Sequence, residues 1–283
     1  MSLKQTKLKR NYSLADFTTI KIGGEARYFF TAESAEALKK VLKKFQGAFY
    51  ILGGGSNLLV ADNPIEKCII KLGEEFSYIR KDKYLEVGSR TPLSHLIKYV
   101  SANNLGGFDN LAGIPATVGG LVMMNASSFG REISEYLKEV EVMDNSGNVK
   151  ILKKDGISFS YRKSSLNDYV ILRVWFEAVK DYDVKAKISN FLKTRMSRQD
   201  FEFPNCGCIF KNPIEKPAGF LIEACGLKGL KKNDAQISPK HANFIINLKK
   251  ARYNDVDYLT SCIKESVHKK FGIVLEEEIK RWA

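Results

Sequence analysis

No apolar run in the sequence approaches the roughly 20 residues that a helix needs to span a bilayer. The amino-terminal stretch, residues 1–11, is polar and has no apolar core of the kind found in secretory signal peptides. We therefore expect a chain that is neither inserted into a membrane nor exported.

Cysteine is scarce in this chain. There are five cysteines, an odd number, and they are spread from Cys68 to Cys262. This distribution argues against a disulfide framework and indicates a reduced, cytoplasmic setting. Cys206 and Cys208 are close in sequence, but no second pair follows at the spacing of a zinc site, and the next histidine is His241. We therefore expect no metal.

Acidic residues are outnumbered, with 32 Asp and Glu against 45 Lys and Arg, which gives a formal charge of +13. Such a charge suits nucleic acid, a membrane surface or small anionic ligands. The basic residues are dispersed pairs, such as Lys39-Lys40 and Lys249-Lys250, and they form no single stripe. We expect a solvated surface whose field attracts small anions, with nucleic-acid binding as the alternative.

Two phosphate-binding patterns are missing, namely G-x-x-x-x-G-K-[ST] and a G-x-G-x-x-G loop that opens a helix. Instead, a loop that begins Gly53-Gly54-Gly55-Ser56-Asn57 lies between two apolar runs, residues 49–52 and 58–61. Glycine permits positive φ and close approach of a ligand, so such a loop can direct several N–H groups at a pyrophosphate. A tight turn between strands, without a ligand, is the alternative.

Apolar spacing and turn residues predict a mixed α and β chain. The predicted helices follow a Ser34 cap, cover residues 92–103, 184–198 and 218–225, and follow an Asn254 cap. The predicted strands are residues 49–52, 68–72, 78–80, 84–87, 140–144, 149–152, 169–179 and 244–247. Residues 108–120 form an apolar, glycine-rich loop, which we expect to pack on protein or on an aromatic cofactor.

Separate motifs then follow one another in a specific order. The first two thirds contain Thr19–Gly24, Gly53–Leu59, Gly113–Gly120 and Tyr161-Arg162-x-Ser164, and the last third contains Gly207–Pro213, Leu221–Gly229, His241–Phe244 and Leu275–Ile279. This order resembles the UDP-N-acetylenolpyruvoylglucosamine reductases from about Thr18 to Ile279, and the length resembles the shorter form of that family.

The resemblance implies an α+β flavoprotein of the FAD-linked oxidase (PCMH-type) superfamily. A two-subdomain FAD-binding module, residues 1–76 and 77–182, would be followed by a separate α+β substrate-binding domain, residues 183–283. FAD would be bound non-covalently, because the glycine-rich segments contain no His or Cys. The implied FAD ligands are Gly53, Gly54, Gly55, Ser56, Asn57, Leu58, Gly113, Ile114, Thr117, Gly119 and Gly120.

The implied activity is reduction of the enolpyruvyl ether of UDP-N-acetylglucosamine to UDP-N-acetylmuramate, for bacterial peptidoglycan. NADPH would be the co-substrate and would use the substrate's own site in turn. We expect a monomer that binds no nucleic acid. The rival interpretations are another FAD-linked oxidoreductase of the same superfamily, acting on a different substrate, and a basic nucleic-acid-binding protein.

The resemblance also assigns catalytic roles. Arg162 would stabilise the charge that develops beside the substrate carboxylate, since a guanidinium can grip a carboxylate at two points. Glu278 would act with it, with a raised pKa. Cys208 stands where the family commonly has the serine that donates the proton, and a thiol is also a competent acid.

Other residues match or depart from the family pattern. Tyr161, Lys211 and Asn212 would contact the substrate alongside Arg162. If Arg162 and Lys211 lower the pKa of Cys208, activity would fall as the pH rises toward that pKa. Ala116 stands where the family often has glycine, and Ser127-Ser128 stand where smaller residues are common.

Overall fold

The computed structural model describes residues 8–283. The predicted polar stretch at residues 1–11 therefore lies mostly outside the described residues. The chain divides into two compact units, each built from separate stretches of sequence. The first contains residues 8–10, 28–54 and 67–193, and the second contains residues 11–27, 55–66 and 194–283.

The described residues form six α-helices and nineteen strands. The helices are α1 (Ala35–Phe45), α2 (Leu93–Ala102), α3 (Val118–Met123), α4 (Val184–Arg198), α5 (Ala218–Ala224) and α6 (Tyr253–Phe271). The strands up to Asp144 are β1 (Lys9–Ser13), β2 (Glu25–Ala32), β3 (Phe49–Leu52), β4 (Leu58–Val60), β5 (Ile65–Leu72), β6 (Ile79–Lys81), β7 (Leu85–Gly88), β8 (Ser127–Ser128), β9 (Arg131–Glu132) and β10 (Leu137–Asp144). The later strands are β11 (Val149–Lys153), β12 (Phe159–Ser160), β13 (Lys163–Ser164), β14 (Tyr169–Phe176), β15 (Asn205–Cys208), β16 (Lys231–Lys232), β17 (Ala235–Ile237), β18 (Phe244–Asn247) and β19 (Lys280–Trp282).

The first unit contains two apolar cores. One lies where α1 packs near the parallel strands β3 and β5, and it includes Leu38, Leu42 and Ile70. The other lies by the five-stranded sheet β11-β10-β14-β7-β6 and includes Val87, Leu121 and residues of α2. Side chains alternate along β14, so its two faces enter different cores: Val170 and Leu172 lie in the first, and Ile171 lies in the second.

The second unit is built on a four-stranded antiparallel sheet, β15-β18-β17-β16. Its core joins α5 and α6 to this sheet and also takes in Ile20, Ile22 and Leu59 from earlier in the chain. β19 pairs in parallel with β4, from Lys280 opposite Leu58 to Trp282 opposite Val60. β4, which directly follows the glycine loop, therefore pairs with a strand more than 200 residues later in the sequence.

Several local predictions are confirmed. Ser34 caps α1 by accepting a hydrogen bond from the Ala37 N–H at 3.2 Å, and Lys43 and Lys44 lie in its last turn, where the helix dipole favours cations. The predicted basic helix is α4, with the predicted bounds. The hairpin of β10 and β11 turns at Asn145–Asn148, where Asp144 Oδ1 accepts two backbone N–H groups at 2.9 Å.

The predicted cap of the last helix is wrong. α6 begins at Tyr253 with Arg252 as its N-cap, so Asn254 lies inside the first turn. The Asp255 carboxylate accepts the Arg252 N–H at 2.9 Å, which fixes the helix start two residues earlier than predicted. The residues predicted to face inward, Val256, Leu259, Ile263 and Val267, are all buried.

Residues 108–120 are more regular than a loop. A 3₁₀ turn covers Asp109–Leu111, and α3 begins at Val118. The domain boundaries expected after residues 76 and 182 stay a prediction. No helix within residues 8–283 is long and apolar enough to cross a membrane.

Candidate active site

The first half of the glycine loop lies against the second glycine-rich segment, inside the first unit. A Cβ built on Gly54 would lie 3.0 Å from the Pro115 carbonyl oxygen, and one on Gly53 would lie 3.0 Å from Thr117 Oγ1. Real Cβ atoms essentially never approach closer than this, so the two backbones meet where side chains would not fit comfortably. Two segments predicted to hold FAD are thus brought together.

The start of α3 is held equally closely. The Gly119 N–H donates to the Ser89 carbonyl at 2.8 Å, and a Cβ on Gly119 would lie 2.9 Å from Ser89 Cβ. Ser89 is buried, and its hydroxyl oxygen has no hydrogen-bond partner among the described residues. A buried hydroxyl without a partner costs free energy, so this position favours a ligand with polar atoms.

The second half of the loop belongs to the second unit. Gly55 has φ +66°, and a Cβ there would overlap the Phe17 carbonyl oxygen. The Thr19 N–H donates to the Gly55 carbonyl at 3.1 Å, and Thr19 Oγ1 donates to the Asn205 carbonyl at 2.7 Å. Thr19 therefore links the loop to the strand that carries Cys208.

Asn57 links the loop to Glu278, two residues before β19 begins. Its side-chain amide donates to the Glu278 carbonyl at 3.1 Å, and its own carbonyl accepts the Lys280 N–H at 3.0 Å. These bonds join residues more than 220 positions apart in the chain.

Cys208 lies at the end of β15, opposite Phe244 of β18 and after an irregularity in the strand register. Gly207 has φ +77°, and a Cβ on it would lie 3.9 Å from the Ser56 carbonyl oxygen, so the strand passes beside the glycine loop. The neighbouring Cys206 is fully buried, and burial raises the pKa of its thiol to about 12. Cys208 is half-buried and so is the more accessible thiol of the two.

The three consecutive glutamates have different surroundings. Glu276 pairs with the Lys211 ammonium, and Glu277 accepts Lys264 Nζ at 2.5 Å and Arg281 Nε at 2.6 Å. The Glu278 N–H donates to the Ile209 carbonyl at 2.8 Å. Glu278 therefore lies beside the residue that follows Cys208.

Lys211 and Asn212 have structural contacts as well as their predicted roles. The Lys211 N–H donates to the Glu276 carbonyl at 2.9 Å, and Asn212 Oδ1 accepts the Ala218 N–H at 3.0 Å, at the start of α5. Their assignment to the substrate stays a prediction.

Arg162 lies in the first unit, in the two-residue turn between β12 and β13. Its φ is +59°, a left-handed conformation that is uncommon for a residue with a Cβ. Its Nη1 donates to the Ser127 hydroxyl at 2.6 Å and to the Ser127 carbonyl at 3.1 Å, and its guanidinium lies 5.1 Å from the centre of the Tyr161 ring.

The structure thus groups the predicted site residues within each unit. The first unit holds Gly53, Gly54, Gly113, Ile114, Thr117, Gly119, Gly120, Tyr161 and Arg162, and the second holds Gly55, Ser56, Asn57, Leu58, Cys208, Lys211, Asn212 and Glu278. No role of Thr19 follows from its motif, and Ser127 stands out in the sequence only as a departure from the family pattern. Both act through contacts with residues distant in sequence, which no local pattern reveals.

These features fit a flavin dinucleotide. Glycine backbones at Gly53, Gly54 and Gly119 have neighbours too close for larger residues, and Ser89 offers a buried hydroxyl. Residues 26–153 match the family described as FAD binding domain. The fold and this segment define an FAD-dependent oxidoreductase.

The last part of the chain identifies the family. Residues 199–282 match the family described as UDP-N-acetylenolpyruvoylglucosamine reductase, C-terminal domain. The reductase of that name from Syntrophobacter fumaroxidans is 36% identical over 98% of this chain and 84% of its own length, and that from Desulforamulus reducens is 34% identical over 99% and 95%. The crystal structure of the Thermus caldophilus enzyme superposes with a TM-score of 0.87 at 34% identity, over 98% of this chain and 100% of that one.

The chain belongs to the UDP-N-acetylenolpyruvoylglucosamine reductase family. The resemblance found from the motifs, the α+β fold class and the FAD cofactor are thereby confirmed.

Proposed function

We propose that this protein reduces the enolpyruvyl ether of UDP-N-acetylglucosamine to the lactyl ether of UDP-N-acetylmuramate, with NADPH as reductant, in peptidoglycan precursor synthesis. Membership of the family supports this substrate. The observation that supports the residue assignment is the backbone hydrogen bond from the Glu278 N–H to the carbonyl of Ile209, the residue after Cys208.

The backbones of Gly53, Gly54 and Gly119 would hold FAD, which would supply the chemistry of hydride transfer between NADPH and the methylene carbon of the enolpyruvyl group. The C=C π bond breaks as the new C–H bond forms, and its electron pair moves to the carbon that bears the carboxylate. The Arg162 guanidinium would stabilise the negative charge there, because it stays protonated at any pH of interest. The proton from Cys208 Sγ then completes the lactyl group.

Accessibility supports Cys208 as the donor. Cys206, two residues earlier, is buried and holds its proton too tightly to release it at neutral pH, since its pKa is about 12. Cys208 is half-buried, and the carbonyl of the next residue, Ile209, accepts the Glu278 N–H.

The test follows the flavin absorbance, at about 450 nm, without oxygen. NADPH should bleach the purified protein, and the enolpyruvyl substrate should restore the colour. Arg162→Ala should slow this reoxidation by about 10²–10³-fold, the effect of losing one preorganised charge stabiliser. Cys208→Ser should retain activity, because a hydroxyl replaces the thiol at the same position.

Two outcomes would contradict the proposal. Bleaching by NADPH without reoxidation by the enolpyruvyl compound would indicate a flavoprotein with another substrate. A protein purified without flavin, and unable to take it up, would refute the cofactor assignment as well.

Setting and assembly are part of the same proposal. We place the reaction in the cytoplasm, since none of the five cysteines, all within residues 8–283, forms a disulfide. The expectation of a monomer stays a prediction, and sedimentation equilibrium of the holoenzyme measures it directly.

A further inference from the structure

We infer that Ser127 is a positioning residue that fixes the Arg162 guanidinium for the substrate carboxylate. The inference rests on the proposed function of Arg162. Its basis is that one nitrogen, Nη1, contacts two oxygens of the same residue, the hydroxyl at 2.6 Å and the carbonyl at 3.1 Å. Ser127 thus restrains the far end of a long side chain that has many rotamers when it is free.

The backbone end of Arg162 is restrained separately. Arg162 occupies the turn between β12 and β13, next to Ser160, whose carbonyl accepts Asn125 Nδ2 at 3.1 Å. On the other side of the turn, Ser164 Oγ donates to the Met123 carbonyl at 2.8 Å. An arginine side chain that is restrained both at its backbone and at its guanidinium loses less conformational freedom when it binds an anion. Preorganisation lowers the free-energy cost of binding in this way.

Ser127 is itself held in place. It begins the short hairpin of β8 and β9, where it lies opposite Glu132. Asn110 Nδ2 donates to the Ser128 carbonyl at 2.7 Å and to the Arg131 carbonyl at 3.0 Å. The Arg131 guanidinium pairs with the buried Asp109 carboxylate at 2.5 Å. The hairpin is therefore anchored on the 3₁₀ turn before α3.

The two Ser127 oxygens that accept from Arg162 Nη1 are neutral, a hydroxyl and a carbonyl, so these contacts orient the guanidinium without adding a negative charge beside it.

Ser127→Ala tests the inference, because it removes the hydroxyl and keeps the carbonyl. Reoxidation of the reduced flavin by the enolpyruvyl substrate should slow about tenfold, the effect of losing one hydrogen bond to a charged group. Reduction by NADPH, which presents no carboxylate to Arg162, should change less than about twofold. A general loss of structure would slow both half-reactions.

Ser128→Ala is the matched control, because it deletes the adjacent hydroxyl of the same hairpin. It should leave both half-reactions unchanged. Ser127→Thr, which keeps a hydroxyl, should restore most of the reoxidation rate. Flavin content and melting temperature, measured for each variant, show whether it is folded.

The outcomes separate this inference from the proposed function. If Arg162→Ala abolishes reoxidation and Ser127→Ala does not slow it, the positioning role is refuted and the proposed function stands. If Arg162→Ala has no effect, the roles of both Arg162 and Ser127 are refuted, whereas the reaction itself stands as long as the enolpyruvyl substrate reoxidises the wild-type flavin. In the double variant Ser127→Ala with Arg162→Ala, the serine change should have no further effect, since its target is gone; an additive loss would contradict the inference.

Discussion

Glu276, Glu277 and Glu278 look alike in sequence, yet their side chains differ in exposure and in partners. Glu276 is 73% exposed and pairs with Lys211, whereas Glu277 is 18% exposed and contacts both Lys264 and Arg281. Arg281 Nη1 also donates to Tyr253 OH at 3.0 Å and to Asp257 at 2.7 Å. Glu277 therefore joins the end of the chain to α6, and the sequence offered no means to see this.

Glu277→Gln should make stability depend less on pH. Burial raises the pKa of Glu277, but hydrogen bonds from Arg281 and Lys264 outweigh it and hold the pKa below its ordinary value of 4.5. A lowered pKa in the folded state stabilises the fold above the unfolded pKa, and that contribution is lost as the pH falls through the folded pKa. Near neutral pH the unfolding free energy of the variant should be about 1–3 kcal/mol lower than that of wild type, and its melting temperature should be lower as well.

The comparison that matters is the difference in melting temperature between wild type and Glu277→Gln, measured from neutral pH to about pH 3. It should shrink toward zero at the acid end. Glu276→Gln is the matched control and should have little effect at any pH, because its ion pair is exposed. A Glu277→Gln difference that persists unchanged in acid would contradict the assigned role.

The element that depends most on its glycines is the loop at residues 53–58. Gly55→Ala places a Cβ in a left-handed backbone conformation and against the Phe17 carbonyl. The expected cost is about 3 kcal/mol or more, from backbone strain and overlap together. Flavin affinity of the purified variant should fall along with the melting temperature.

Gly47→Ala provides the matched control for this loop. Gly47 also has positive φ, +85°, but a Cβ there would meet nothing within 4 Å. It should cost only about 1–2 kcal/mol of strain and leave flavin affinity unchanged. Equal effects of the two substitutions would show that the Phe17 contact contributes nothing.

Elements with strong local signals were predictable, and those defined by distant partners were not. α1 and α4 follow from a cap and from residue spacing. α3 was missed because a six-residue helix rich in glycine has almost no periodic signal, and the pairing of β4 with β19 joins stretches far apart in sequence. The proposed site residues Arg162, Cys208 and Glu278 come from motifs, whereas the contact of Ser127 with Arg162 joins residues 35 positions apart.

At the scale of the whole molecule, the charge of +13 should influence encounter with an anionic substrate. kcat/KM for the enolpyruvyl substrate should fall about threefold or more when ionic strength rises from about 0.02 M to about 0.5 M, because salt screens long-range attraction. kcat should change little, since bound substrate no longer depends on the field. A kcat/KM that does not respond to salt would show that the surface charge has no such role.

The pairing of β19 with β4 has a consequence for biosynthesis. A ribosome adds about 5–20 residues per second, so roughly 10 to 40 seconds separate the synthesis of Leu58 from that of Lys280. Throughout that interval the nascent chain carries Leu58, Leu59 and Val60, all buried in the finished protein, without their neighbouring strand. The newly made chain should therefore need protection from aggregation, and it should acquire its flavin only after β19 has left the ribosome.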